Sequence, residues 1–210
     1  MSDPTIEQEK KRLKVLWQYE VLDTVPEEVF DDLTELAARI CEAPIALISL
    51  VDESRQWFKS RVGTTVTETS RDVSFCAYAI TQSDLFIVPD ASKDPRFATN
   101  PLVTSDPKIR FYAGAPLITP DGHALGTLCV IDKVPRELRP EQSQALRILA
   151  RHVMSQLELR RRSHDLAEAR NKEVRFKAEL DQARAELAKA RGELARRKAR
   201  PRPAPRTKSR

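Results

Sequence analysis

The stretch PEEVFDDLTELAARICEAPIALISLV, residues 26–51, indicates the fold class because its hydrophobic period changes partway along. Its first half places apolar residues on one helix face, at Val29, Phe30, Leu33, Leu36, Ala37, Ile40 and Cys41. Pro26 suits the first turn of this helix, and Ala43 with Pro44 ends it. The following run, 45–51, is rich in β-branched residues and predicts a strand.

The flanking sequence adds strands that pair as hairpins. A turn at 52–55 leads to a second strand at 56–62, and FYAGAPLI with ALGTLCVID predicts a hairpin around TPDG, residues 119–122. The remaining predicted elements are a helix at 5–22, a polar loop at 63–73, a short helix at 75–80, a short strand at 85–88 and a last helix from Pro140. This order predicts an α+β domain, an antiparallel sheet with helices packed on one face.

Composition excludes several classes of protein. The chain has 210 residues and five glycines, and no two glycines lie close enough for a phosphate-binding loop. The longest mostly apolar run, 43–51, is far shorter than a membrane helix, and the first residues lack an apolar leader, so we expect a cytoplasmic protein without membrane contact. Three cysteines without CxxC spacing predict no metal site and no disulfide framework, and their apolar surroundings are typical of buried core positions.

Charge divides the chain. Residues 160–210 hold 18 Lys and Arg against 7 Asp and Glu, so this segment carries +11 and the preceding residues carry −6 of the net +5. The last residues, 200–210, are basic and rich in proline, which predicts a disordered tail. Such a tail solubilises the chain or contacts nucleic acid, and we expect the first role.

Several extended segments together resemble the GAF sensory domain family. They are VLDTVPEEVFDDLTELAARICEAPIALISLVDESRQWFKS, ETSRDVSFCAYAI, VPDASKDPRF and FYAGAPLITPDGHALGTLCVIDKVPREL, in the family's order. The variety looks like the bacterial modules attached to histidine kinases and diguanylate cyclases. The resemblance implies a GAF/PAS-like domain over 21–158 after an N-terminal helix (1–20), with a pocket between the sheet and the loops at 70–110 and terminal helices that dimerise.

Known ligand chemistries of the family find little support in these residues. Covalent bilin attachment needs a cysteine after the DPRF segment, and none lies between Cys76 and Cys129. The Asn-Lys pair typical of cyclic-nucleotide GAF domains occurs at 171–172, outside the domain. No histidine is well placed for haem, so the cofactor is undetermined. Cys76 leaves one enzymatic alternative, a redox enzyme or sensor similar to free methionine sulfoxide reductase.

A general ligand pocket therefore remains the main prediction. Its candidate lining residues are Phe75, Cys76, Asp90, Arg96, Phe97, Phe111, Tyr112 and Pro116. Asp90 and Arg96 lie among aromatic residues and could orient a small molecule. The alternative is that these two charges pair with each other or cap loop backbone.

The C-terminal helix carries a heptad pattern over 159–199. Its apolar positions predict a dimer interface formed by Leu159, Leu166, Phe176, Leu180, Leu187 and Leu194. The charge pairs Glu179–Arg184, Glu186–Arg191 and Glu193–Lys198 are opposite in sign across a parallel register. The sequence thus predicts a parallel homodimeric coiled coil, weakened by Glu173 and small alanines in its core.

These features predict a sensor that binds a small molecule and relays the signal through the coiled coil to a signalling partner in trans, without catalytic output of its own. An alternative from another class is a dimeric interaction scaffold whose pocket is vestigial. The third possibility is a redox enzyme or sensor that uses Cys76.

Overall fold

The computed structural model describes residues 6–198, except for the side chains of residues 193, 194 and 196–198. The helices are α1 (Ile6–Gln18), α2 (Glu28–Cys41), α3 (Phe75–Ala79), α4 (Pro101–Thr104) and α5 (Pro140–Lys198). The strands are β1 (Ile45–Val51), β2 (Arg55–Val62), β3 (Glu68–Ser70), β4 (Phe86–Val88), β5 (Phe111–Ile118) and β6 (Ala124–Asp132). The chain divides between Arg162 and Ser163 into two units, and each is described by itself.

Within residues 6–162, the strands form one six-stranded sheet in the order β3-β2-β1-β6-β5-β4, with every neighbouring pair antiparallel. The long strands β1 and β6 occupy its centre, with Leu47 opposite Cys129. Gly126 belongs to this central pairing, where a Cβ would lie 1.9 Å from the Ser49 carbonyl oxygen. The close approach of β1 and β6 therefore depends on a glycine at this position. The predicted α+β class and antiparallel sheet are confirmed.

The sheet separates two hydrophobic cores, because successive side chains of a strand point to opposite faces. One core packs α1, α2 and the first turns of α5 on the sheet, and Leu16, Phe30 and Leu146 lie at its centre. The other core lies under α3, α4 and the loops between them, and Phe58 and Phe97 belong to it. The second face is the one that carries the cavity described below.

Two local differences from the predicted elements have physical causes. The predicted polar loop at 63–73 contains β3, a three-residue edge strand whose polar sequence gives no apolar alternation to detect. The second helix begins at Glu28 and not at Pro26, because Glu27 is extended (φ −132°) and its side chain is bound elsewhere. Within residues 6–198, no helix combines the length and apolar character that crossing a bilayer requires.

The predicted tail at 200–210 and the first residues of the predicted N-terminal helix lie outside the described residues. The unit that follows Arg162 is helical over its described residues, to Lys198. Its described side chains are exposed, including those at the predicted interface positions Leu166 (72% exposed), Phe176 (68%), Leu180 (40%) and Leu187 (53%). Leu159, in the first unit, is also exposed, and the side chain of Leu194 lies outside the described set. These apolar positions are thus exposed where the structure describes them, and the coiled coil stays a prediction.

Candidate functional site

A cavity of about 630 Å³ lies on the face of the sheet beneath α3 and α4. Its floor is apolar and comes from side chains of the sheet and of α3, at Ile45, Leu47, Phe58, Ile131, Phe75 and Tyr112. Its mouth carries hydroxyl groups of the loop after β2, with the exposed charges Asp106 and Lys133 on the rim. An apolar floor with a few polar groups at the mouth is typical of small-molecule sites.

Helix α3 is fixed at the cavity wall by a buried polar network. Ser74 caps the helix, since its hydroxyl accepts a hydrogen bond from the Ala77 amide at 3.0 Å. The same hydroxyl donates to Gln56 Oε1 at 2.5 Å, and Gln56 Nε2 donates to Thr69 Oγ1 at 2.6 Å. Gln56 thereby connects the N-terminal end of α3 to β2 and β3.

Cys76 of α3 lies in this wall, and Cys129 of β6 lies beside it in the core, with the two sulfur atoms 4.0 Å apart. The Tyr112 hydroxyl donates to Cys76 Sγ at 3.4 Å and lies 3.4 Å from Thr127 Oγ1. Space for this hydroxyl depends on Gly114, because a Cβ there would lie 2.3 Å from the Tyr112 oxygen. Two thiols, a phenol and a hydroxyl thus meet within the core.

The pKa values of the two thiols are shifted in opposite directions. Burial opposes ionisation of Cys76, but hydrogen bonds, first from Cys129 and then from Thr127 and Tyr112, outweigh it and lower the pKa of this thiol. The bond to Cys76, together with burial, raises the pKa of Cys129. Burial and the neighbouring thiols also raise the pKa of Tyr112, so its hydroxyl stays protonated and remains a donor. If one thiol ionises, it is Cys76.

An aromatic stack closes the end of the site that faces the loop at 90–100. The Phe75 ring stacks on Phe97 at 4.1 Å and on Tyr112 at 5.2 Å between centroids. The Arg96 guanidinium lies outside the stack, 4.9 Å from the Phe86 ring centroid and 5.4 Å from that of Phe97. This region is filled by the protein's own side chains, and the open volume lies on the other side of Phe75, towards β1 and β2.

The structure brings together part of the predicted pocket. Phe75, Cys76 and Tyr112 line the cavity, and Phe97 supports it from behind. Phe111 does not, because it alternates with Tyr112 on β5 and so faces the helical core. Pro116 also lies elsewhere, beside the first turns of α5.

Asp90 and Arg96 do not line the cavity or pair with each other, and Asp90 instead accepts a hydrogen bond from the Ser92 backbone amide at 3.1 Å, as the capping alternative predicted. Asp90 accepts a hydrogen bond from the Ser92 hydroxyl at 2.6 Å and lies 3.3 Å from Lys93 Nζ. Arg96 pairs with Asp94 at 2.5 Å. Each charge is satisfied by a neighbour two or three residues away, so neither is directed at the cavity.

Most residues of the cavity wall were not among the predicted lining residues. Ile45, Leu47 and Phe58 line the cavity, and the period of two along β1 could have indicated the first two. The loop at 63–66 and Pro107 also contribute, and their polar or irregular sequence carries no such signal. Within residues 6–198, no three side chains of His, Cys, Asp or Glu converge closely enough to hold a metal ion.

A charged cluster lies on the opposite face of the sheet, and we call Lys59, Glu27 and Arg160 the Glu27 cluster. The Lys59 side chain is fully buried, and its Nζ donates to Glu27 Oε1 at 2.6 Å. Arg160 of α5 donates to the same carboxylate oxygen at 3.0 Å and to the carbonyl oxygens of Tyr19 and Glu20, each at 3.0 Å. The cluster therefore connects β2, the segment before α2 and α5. Lys59 follows the cavity residue Phe58 directly in β2.

Comparisons with known proteins agree with this fold. The sequence pattern of the GAF domain family matches residues 25–157. Among solved structures, the GAF domain of an Acinetobacter phosphoenolpyruvate-protein phosphotransferase superimposes with a TM-score of 0.54 at 18% identity, over 75% of this chain and 95% of that one. A free methionine-R-sulfoxide reductase from Neisseria meningitidis, solved with its substrate, gives 0.53 at 15% identity, over 78% and 97%. At such identities the likeness shows the fold alone.

A curated relative is much closer in sequence. A cyclic di-GMP phosphodiesterase of Pseudomonas aeruginosa is 45% identical over 155 residues, which are 73% of this chain and 26% of that protein. The chain thus spans about a quarter of the length of this relative. The prediction of a protein without catalytic output of its own is contradicted by this match, because a relative at 45% identity is named for an enzymatic activity.

The match over 25–157 covers more than half of the chain, and it includes all six strands, helices α2 to α4 and every residue that lines the cavity. The chain belongs to the GAF domain family.

Proposed function

We propose that this protein is a small-molecule sensor that controls cyclic di-GMP phosphodiesterase activity. The observation that carries the proposal is the cavity of about 630 Å³ with its apolar floor and polar mouth. The activity named for the relative at 45% identity suggests which reaction the sensor controls. A signalling role itself follows from the family; the ligand and the controlled reaction are the proposed parts.

The shape of the cavity defines the kind of ligand. Ile45, Leu47 and Phe58 on the floor favour a ligand with a compact apolar part. Each Å² of apolar surface that is removed from water contributes about 25 cal/mol of favourable free energy. Asp106 and Lys133 on the rim can each meet a charged or polar group that stays near solvent. We therefore expect an amphipathic molecule whose polar group lies at the mouth.

Strand β2 supplies the route from the cavity to α5. A ligand on the floor contacts Phe58, and the next residue, Lys59, holds Glu27 and through it Arg160 on the other face. A displacement of β2 by the ligand would change this buried ion pair, whose geometry determines its energy. The proposed relay is thus a change in how α5 is held at Arg160.

Val66→Trp tests the sensor. Val66 lines the cavity and is half-exposed, so an indole at this position fills the volume without disturbing the floor. Val134→Trp is the matched control, because Val134 is similarly exposed and is not part of the cavity. Native mass spectrometry of protein purified from its own cells should show a bound small molecule in the wild type and in Val134→Trp, and none in Val66→Trp.

The same variants test the controlled reaction. Cellular cyclic di-GMP should differ between Val66→Trp and the wild type, and it should be unchanged by Val134→Trp. If the purified protein carries no added mass and both tryptophan variants leave cyclic di-GMP unchanged, the proposal fails.

A second candidate, a dimeric scaffold, rests on a separate observation, the exposed apolar positions after Arg162. We propose a parallel homodimer in which Phe176, Leu180 and Leu187 pair with a second copy of the chain. Leu180→Glu with Leu187→Glu should convert the full chain to a monomer at micromolar concentration in sedimentation analysis. Ala178→Glu with Ala185→Glu adds the same charge at outward heptad positions and should leave the dimer intact. A wild-type monomer would exclude the coiled coil.

A further inference from the structure

Cys76 in the cavity wall and Cys129 behind it form a thiol pair whose chemistry the proposed sensing role does not use. Cys76 Sγ and Cys129 Sγ are 4.0 Å apart, and both residues are buried, at 2% and 0% exposed. The third cysteine, Cys41, belongs to the hydrophobic core on the opposite face of the sheet. The chain therefore contains one close thiol pair and one thiol that serves as an internal reference.

The two sulfurs differ in access. Cys76 lies in the wall of the cavity, whereas Cys129 lies behind it on the central strand β6 and is not among the lining residues. A small reagent that enters the cavity meets Cys76 first. Tyr112 donates a hydrogen bond to this sulfur and stabilises its thiolate, which is the reactive form of cysteine.

We propose that Cys76 and Cys129 are an oxidisable dithiol that a hydroperoxide converts to a disulfide. The Cys76 thiolate attacks one peroxide oxygen, the O–O bond breaks, and the leaving hydroxide takes a proton to form water. The Cys129 sulfur then attacks the sulfenic sulfur of Cys76, the S–O bond breaks, and a second water leaves. For hydrogen peroxide, two thiols and one oxidant give one disulfide and two waters.

Closing this bond would change the cavity. The sulfur atoms must approach from 4.0 Å to about 2.05 Å, the length of a disulfide bond. Cys76 belongs to the short helix α3 and Cys129 to a central strand with partners on both sides, so α3 is the element that moves. Phe75, adjacent to Cys76, lines the cavity, and oxidation therefore alters the volume open to a ligand.

Peptide mapping of the wild-type full chain decides the proposal. Trypsin places the three cysteines in separate peptides, residues 40–55 for Cys41, 72–93 for Cys76 and 111–133 for Cys129. After reduction, removal of reductant and treatment with hydrogen peroxide, non-reducing digestion should yield the 72–93 and 111–133 peptides as one linked species. The intact chain should lose about 2 Da, two hydrogens, and its free thiols should fall from three to one.

Variants provide the matched controls. Cys41→Ala removes the reference thiol and should still lose the two hydrogens. Cys76→Ala and Cys129→Ala should not lose the two hydrogens. Thermal unfolding of the reduced variants checks that both are folded. Because the wild-type map needs no variant, an unfolded variant does not leave the question open.

Three results would overturn the proposal. The first is a wild-type chain that keeps three free thiols. The second is a link that involves the 40–55 peptide or joins two chains. The third is over-oxidation of Cys76 while Cys129 stays free, since a resolving thiol at 4.0 Å should capture the sulfenic acid first.

Discussion

Glu27→Gln removes the counterion of a buried ammonium group while keeping the shape of the side chain. Lys59 Nζ has three partners, Glu27 Oε1 at 2.6 Å, the Val25 carbonyl oxygen at 2.8 Å and Thr24 Oγ1 at 2.9 Å. Among these three, Glu27 alone carries a negative charge. The variant therefore leaves a fully buried positive charge with two neutral acceptors and an amide.

The expected cost follows from burial. Removing one partner of a buried ion pair destabilises a protein by about 3–5 kcal/mol. The Glu27 side chain is 33% exposed, so water can compensate in part, and we expect Glu27→Gln to lower the free energy of unfolding by about 2–3 kcal/mol. Lys59→Met removes the buried charge itself, and Glu27 keeps Arg160 at 3.0 Å, so this variant should cost about 1 kcal/mol.

Urea unfolding followed by tryptophan fluorescence measures both variants and their combination. Trp57 lies in β2 beside the same core and reports on it. In the double variant the cost of Glu27→Gln should largely disappear, which gives a coupling energy of at least about 1 kcal/mol. Additive effects, or a larger loss for Lys59→Met than for Glu27→Gln, would refute this account of the cluster.

The same carboxylate makes stability depend on pH. Burial raises the pKa of Glu27, but hydrogen bonds from Lys59 and Arg160 outweigh it and lower that pKa below its ordinary value. A group with a depressed folded pKa stabilises the protein above its unfolded pKa, about 4.3 for glutamate, and this contribution is lost as pH falls through the folded value. Stability of the wild type should therefore fall more steeply below about pH 4 than that of Glu27→Gln.

Three further outcomes are expected. Burial of Glu9 is outweighed by hydrogen bonds from Arg12 and Arg71, which lower its pKa to about 2; Glu9→Gln should cost about 2 kcal/mol at pH 7 in urea unfolding and much less at pH 2. Gly126→Ala places a Cβ against backbone in the central strand pair and should lower the free energy of thermal unfolding by about 2 kcal/mol. Burial raises the pKa of Cys41 to about 11, so at pH 7 iodoacetamide should modify the 72–93 peptide faster than the 40–55 peptide.

The first two have a matched control variant, and in the third Cys41 is the reference for Cys76. Glu35→Gln removes an exposed carboxylate paired with Arg39 on one helix, which should cost less than about 0.5 kcal/mol at any pH. Gly192→Ala meets no atom within 4 Å and should not destabilise the protein. Equal losses in test and control variants, or faster modification of Cys41 than of Cys76, would contradict the assigned roles.

Much of the fold could be predicted because local patterns and tertiary packing agree. The apolar face of α2 is visible as a helical period in residues 28–41, the apolar, β-branched run 45–51 marks β1, and the TPDG turn marks the last hairpin. The strand β3 could not be predicted in this way, since three polar residues at an edge contribute backbone pairing and little burial. The backbone hydrogen bonds between β2 and β3 form only in the folded chain, so they leave no pattern in the sequence of β3.

The site was harder to predict because it depends on which faces meet. Phe111 and Tyr112 are adjacent aromatic residues of β5. Successive side chains of a strand point to opposite faces of the sheet, so the two lie in different cores. The proximity of Cys76 to Cys129 arises from α3 lying on β6, across 53 residues of chain. Lys59 looks like an ordinary surface lysine in sequence, and its burial becomes evident when Glu27 and Arg160 are seen beside it.

Strand β2 makes one physical test of the proposed relay possible, because Phe58 and Lys59 face opposite cores. If β2 transmits changes between the faces, Phe58→Leu, which enlarges the cavity, should alter the cost of Glu27→Gln by more than about 0.5 kcal/mol in a double-mutant cycle. Phe97→Leu is the control, since Phe97 is equally buried on the cavity face but stacks on Phe75 of α3. Additivity for both phenylalanines would mean that the sheet holds the two cores independently, and a signal would then need another path to α5.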